Sequence, residues 1–94
     1  MPRWFRGTNN PVDIADSAYK HGVTDDDMDH AIDHPVVTRL LRPGVPPVAI
    51  TIGPDRGGRL LELIWLDLGD RDLLIHAMGL TRKHRHLLPK GHRR

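Results

Sequence analysis

The sequence predicts an α+β domain: two N-terminal helices packed on a three- or four-stranded antiparallel sheet, followed by a short basic C-terminal segment. Three observations predict it. Apolar residues recur at helical spacing before Pro35 and at strand spacing after it. The strand-like runs are separated by turns of a few residues, which makes sequential strands antiparallel neighbours. The chain has 94 residues, room for one hydrophobic core and hence a single domain. Helices that precede such a sheet pack on one face and leave the other concave and partly open.

The first ten residues, with Trp4 and Phe5, read as an irregular or short extended start. Asn10-Pro11 marks a helix entry, with Pro11 at the first helical position. Ile14, Ala15, Ala18 and Tyr19 then form an apolar stripe that predicts a helix over 12–21. Gly22 supplies the residue after its end, where positive φ is needed. Thr24 is a suitable N-cap for a second helix, and Asp25, Asp26 and Asp27 place negative charge at the positive end of its dipole. Met28, Ala31 and Ile32 give it an apolar face over 25–34, and Pro35 ends it because helical geometry is disfavoured just before proline.

After Pro35, Val36-Val37-Thr38 is short and β-branched, and Leu40-Leu41 runs into the breaks at Arg42-Pro43-Gly44 and Pro46-Pro47. Strands are expected over 48–53, 59–67 and 72–78, separated by the turns at 53–58 and 68–71. Strict alternation in the last strand puts Leu73, Ile75 and Ala77 toward the helices and Leu74, His76 and Met78 on the open face. Residues 89–94 read as a frayed tail.

Composition excludes several chemistries. With no cysteine, the chain has no disulfide scaffold, thiol nucleophile or cysteine-zinc site. The only serine, Ser17, has no nucleophile-elbow context. No apolar run is long enough for a membrane span or a signal peptide, so the sequence reads as a soluble, cytoplasmic protein that does not engage membrane. Asp26, Asp29, His30, Asp33 and His34 share helical spacing, but the dipole accounts for an acidic first turn, and neither a metal nor another cofactor is expected.

Net charge is only +2, yet it is unevenly placed. Residues 13–33 hold seven aspartates against Lys20, whereas residues 76–94 hold six Lys/Arg, no acid and four of the seven histidines. A basic end of this kind suits a polyanion such as RNA. Arg82, Lys83, His84, Arg85 and His86 are consecutive: arginine grips phosphate bidentately, and histidine titrates near neutrality. Metal-free RNA cleavage needs those two properties, with a base for the 2′-hydroxyl, an acid for the leaving 5′-oxygen and cations for the phosphorane. The expected catalytic residues are therefore His76, His84, Arg82 and Lys83, with Arg85 and His86 holding RNA. In the 53–58 turn, Arg56, with Arg59 beside it, offers a further phosphate contact.

Lys20-His21-Gly22-Val23, an acidic helix ending at proline, a glycine-turn hairpin, then Ile75-His76-Ala77-Met78 and a basic segment together resemble the small RelE/ParE-superfamily toxins of type II toxin–antitoxin systems, closest to the BrnT-like branch. The likeness runs over roughly residues 18–88. It implies a cytoplasmic endoribonuclease that cleaves mRNA, in some relatives on the ribosome, without metal, and that is neutralised by a cognate antitoxin. It also implies RNA-binding roles for Lys20 and His21, Arg56 or Arg59, and Arg82 and Lys83. The chain departs from the pattern in having no C-terminal tyrosine, since its one tyrosine is Tyr19. Some superfamily members poison gyrase instead. A different class, a non-catalytic nucleic-acid-binding regulator, finds a basis in Ala18, Gly22 and Met28 at helix-turn-helix spacing. Against it, residues 25–34 hold five aspartates, which phosphates repel.

Overall fold

Three strands lie where the sequence places them, and they form the centre of the molecule. In a computed structural model describing residues 11–92, they are β3 (Val48–Pro54), β4 (Leu60–Asp67) and β5 (Asp72–Gly79). The rest of the architecture differs from expectation. The sheet has five strands, adding β1 (Val12–Ile14) and β2 (Val37–Arg42), in the order β1-β5-β4-β3-β2. It is mixed: β2 through β5 form an antiparallel meander, but β1 runs parallel to β5. Among the described residues there is one α-helix, α1 (Asp25–Asp33).

The expected first helix is the main correction. Val12 and Ile14 are β-branched, and the open edge of β5 offers them a ladder that a lone short helix cannot match. Val12 pairs with Asp72 and Ile14 with Leu74, and the Ala15 amide donates to the Leu74 carbonyl at 2.9 Å. Only then does the chain coil, as a single 3₁₀ turn over Asp16–Tyr19. The apolar stripe still has a use, because Ala18 is fully buried. The second correction is β2: the short β-branched segment after Pro35, which lies outside the three expected strands, pairs with β3 from Val37 opposite Ile52 to Arg42 opposite Val48.

Helix α1 forms for the reasons its sequence suggests. The Thr24 hydroxyl accepts from the Asp27 amide, and the chain leaves helical geometry at His34, one residue before Pro35. Gly22 sits at φ 79°, turning the chain between the 3₁₀ segment and α1. The inner side of the helix, Met28 and Ala31, is completely buried against Ala49, Leu61, Leu63, Trp65, Leu74 and Ala77. Burying a side chain such as Met28 contributes about 1.5–3 kcal/mol. The approach is close enough to require glycine in β3, since a Cβ at Gly53 would lie 2.4 Å from the Ala31 carbonyl oxygen.

The second face of the sheet is not left open. Val37 and Ile52 are covered by Leu88, with Leu80 and Leu87 packed around them. The C-terminal segment therefore folds back as a 3₁₀ stretch over Arg82–Leu87, and a last 3₁₀ turn occupies Lys90–His92, inside the expected tail. Face assignment in β5 also departs from strict alternation. The register shifts between Ile64 and Trp65, so that Ile64 meets His76 but Trp65 meets Leu74, leaving Ile75 as a bulge. Leu74 and Ala77 thus share the α1 face, while His76 and Met78 stay opposite.

Candidate functional site

Glu62 organises the second face. It stands in the middle of β4, in an otherwise apolar run, and is 2% exposed. A carboxylate at that depth must find donors, because an unpaired buried charge is very costly. One oxygen accepts from the Thr81 amide at 2.7 Å and the Thr81 hydroxyl at 2.6 Å. The other accepts from His76 Nε2 at 3.0 Å. His84 Nδ1 lies 3.1 Å from the first oxygen, within ion-pair reach but outside hydrogen-bond geometry. Burial pushes the Glu62 carboxyl up. The Thr81 hydrogen bonds, followed by the contacts with His84 and His76, outweigh burial and bring it from 4.5 down to about 2.

This geometry sets the state of His76. An ionised carboxylate only accepts, so His76 must carry hydrogen on Nε2. Its Nδ1 is then the nitrogen left for chemistry: a lone pair in the neutral ring, an N–H in the imidazolium. The side chain is about a quarter exposed, against 9% for His84. The two histidines therefore differ in role. His76 reaches solvent, whereas His84 is turned inward as part of the anchor beneath the basic segment.

A third histidine joins them. The rings of His21 and His76 meet edge to face, with centroids 5.6 Å apart. The segment carrying His21 is fastened to β5, with the Ser17 hydroxyl donating to the Ile75 carbonyl at 2.6 Å. That carbonyl belongs to the bulged residue, so the irregularity in β5 that moves Leu74 to the α1 face also anchors the turn bearing His21. Lys20 is exposed beside it.

Around this cluster Arg82, Lys83, Arg85 and His86 are exposed on the outer side of the 3₁₀ stretch, while His84 and Leu88 face in. Arg59 lays its guanidinium against Gly79, near the start of the same segment, and contacts Asp55 at 3.5 Å. Arg56 lies elsewhere. Its Nε and backbone amide both donate to Asp27, and its guanidinium reaches Asp26 at 3.5 Å, so it is bound to α1 on the opposite face. These contacts hold the Asp27 carboxyl below its ordinary value and raise the guanidinium.

The fold thus gathers His76, His84 and His21 with the basic segment and leaves Arg56 apart. The residues that sequence reasoning missed are Glu62 and Thr81. The available signal was Glu62 itself, a charged residue inside a buried strand, where charges are found only when partnered. No three His, Asp or Glu side chains among the described residues converge as a metal-binding group. No described helix is long and apolar enough to cross a membrane. The chain matches no family model, no curated protein and no solved structure.

Proposed function

We propose that this protein is a metal-independent endoribonuclease, the toxin of a toxin–antitoxin pair, with mRNA as substrate and a cognate antitoxin as partner. The observation that carries this reading is the buried Glu62 carboxylate, which orients His76 beneath a fringe of exposed cations. The resemblance of its short-motif order to that of RelE/ParE-superfamily toxins supports the biological setting.

His76 Nδ1 takes the proton from a 2′-hydroxyl, and Glu62 stabilises the imidazolium that forms. The 2′-oxygen attacks phosphorus, and the bond from phosphorus to the 5′-oxygen breaks. Protonated His21 gives its proton to the departing 5′-oxygen. Arg82 and Lys83, with Arg85 and His86, hold the phosphates and stabilise the phosphorane charge. The products are a 2′,3′-cyclic phosphate and a 5′-hydroxyl. His84 and Thr81 act as positioning residues through Glu62.

The test is single-turnover cleavage of single-stranded RNA, with end-group analysis, in buffer with and without EDTA. Cyclic-phosphate ends and EDTA-resistant cleavage are expected, as is growth arrest when the chain is expressed alone. EDTA-sensitive cleavage overturns the mechanism. Salt-sensitive RNA binding without cleavage makes the protein a binding module instead.

A further inference from the structure

We propose that the outer edge of β2 receives an added strand from a partner protein, an extended segment alternating acidic and apolar residues. β2 ends the sheet, with β3 on its inner side and no strand on its outer side among the described residues. Such an edge presents a row of main-chain donors and acceptors and is a ready template for another chain.

The side chains say what the added strand must carry. Arg39 through Arg42 are all exposed. Leu40 and Leu41 are 40% and 39% exposed, and Val45 just beyond them is wholly exposed, so three of the four exposed large apolar residues among the described residues lie on this strand and its turn. The strip continues at the turn into an open, mostly apolar depression of about 420 Å³ lined by Val45, Pro46, Pro47, Asp67, Leu68 and Gly69. The register separates charge from apolar surface. Arg39 and Arg42 pair with Ile50 and Val48 and so share the second face, while Leu40 pairs with Ala49 on the α1 face. Neither arginine meets an acid among the described residues: the one side-chain bond found is from Arg39 to the adjacent Thr38 carbonyl.

A matching strand therefore places acids beside Arg39 and Arg42, and apolar residues beside Leu40. A second copy of this chain fits poorly. Antiparallel pairing about Leu40 and Leu41 sets Arg39 opposite a second Arg42, and like charges across a ladder are destabilising. The exposed leucines and the open main-chain edge favour a peptide over a nucleic acid, which needs neither.

The proposal uses none of the residues assigned to cleavage, so each can fail alone. The probe is a blocked synthetic peptide alternating glutamate and valine, titrated into the ¹⁵N-labelled full chain. The β2 amides are expected to shift and to gain protection from hydrogen exchange. The double variant Arg39→Glu, Arg42→Glu, made at exposed positions that leave the core intact, is expected to bind this peptide about tenfold more weakly or worse. It is expected to bind a lysine–valine peptide better than the parent does, and to cleave RNA unchanged. Peptide shifts confined to Arg82–Leu87 would overturn the proposal, as would equal affinity for both peptides. Protection of β2 by an oligouridine, or by dimerisation of the protein alone in sedimentation, would assign the edge to a different occupant.

Discussion

On the face beneath α1, Leu61, Leu63, Leu74 and Ala77 are almost wholly buried, and the Trp65 indole N–H donates at 3.1 Å to the Thr51 hydroxyl, which is also bonded to the Thr38 hydroxyl. On the opposite face β4 carries Glu62 at the same depth, held by Thr81 and two histidines. The treatment of cations differs in parallel. Arg56, beside α1, is bound by Asp26 and Asp27, whereas Arg82, Lys83 and His86 meet no acid among the described residues. A charged carboxylate at the root of a segment that exposes Arg82, Lys83 and His86 is an arrangement suited to binding and chemistry.

The comparison yields ordered expectations. The largest effect belongs to the second face: His76→Ala should lower single-turnover cleavage by about 10²–10⁴-fold while leaving RNA affinity nearly unchanged. His84→Ala should act more weakly on cleavage and more strongly on thermal stability, because His84 is an anchor. Equal losses in cleavage from both would break the distinction between them.

On the first face, Gly53→Ala should cost about 3 kcal/mol in urea unfolding, since its methyl group meets the backbone of α1, which cannot give way as a flexible side chain can. Leu63→Ala should cost about 2–5 kcal/mol through the cavity left. Neither should change the pH dependence of stability.

Glu62 should control that dependence. Its folded value lies below its ordinary one, so its contribution is fully present above pH 4.5 and is lost as pH falls toward about 2. The loss amounts to about 3 kcal/mol across that window. Urea midpoints of the parent and Glu62→Gln between pH 6 and pH 2.5 check it: the parent should weaken steeply at the acid end and the variant much less. Parallel curves would remove Glu62 from the account.

The smallest effect should come from Arg56→Ala. Its ion pairs are exposed and screened, so the melting temperature should move little, and less at high salt. RNA cleavage should also survive, in contrast with the role the glycine turn suggests for Arg56 when the sequence is read alone.

The three central strands, α1 and its Thr24 cap were legible in the sequence because each depends on neighbours within a few residues: turn chemistry, a capping hydroxyl, a proline stop. So was His76 on the face opposite Ala77. What the sequence could not decide depended on groups distant along the chain. Whether Val12–Ile14 is a strand rests on an open edge at Asp72–Leu74, some sixty residues away, which outbids a helical stripe of four residues. The bulge at Ile75 moves Leu74 to the other face, although alternation predicts the reverse. Glu62 stood in plain view as a charge in an apolar strand, but its partners come from β5 and from the C-terminal segment folded back across the sheet. Local periodicity specifies elements because backbone geometry repeats over a few residues. The site required long-range closure, in which tertiary packing chooses the partners of a buried charge.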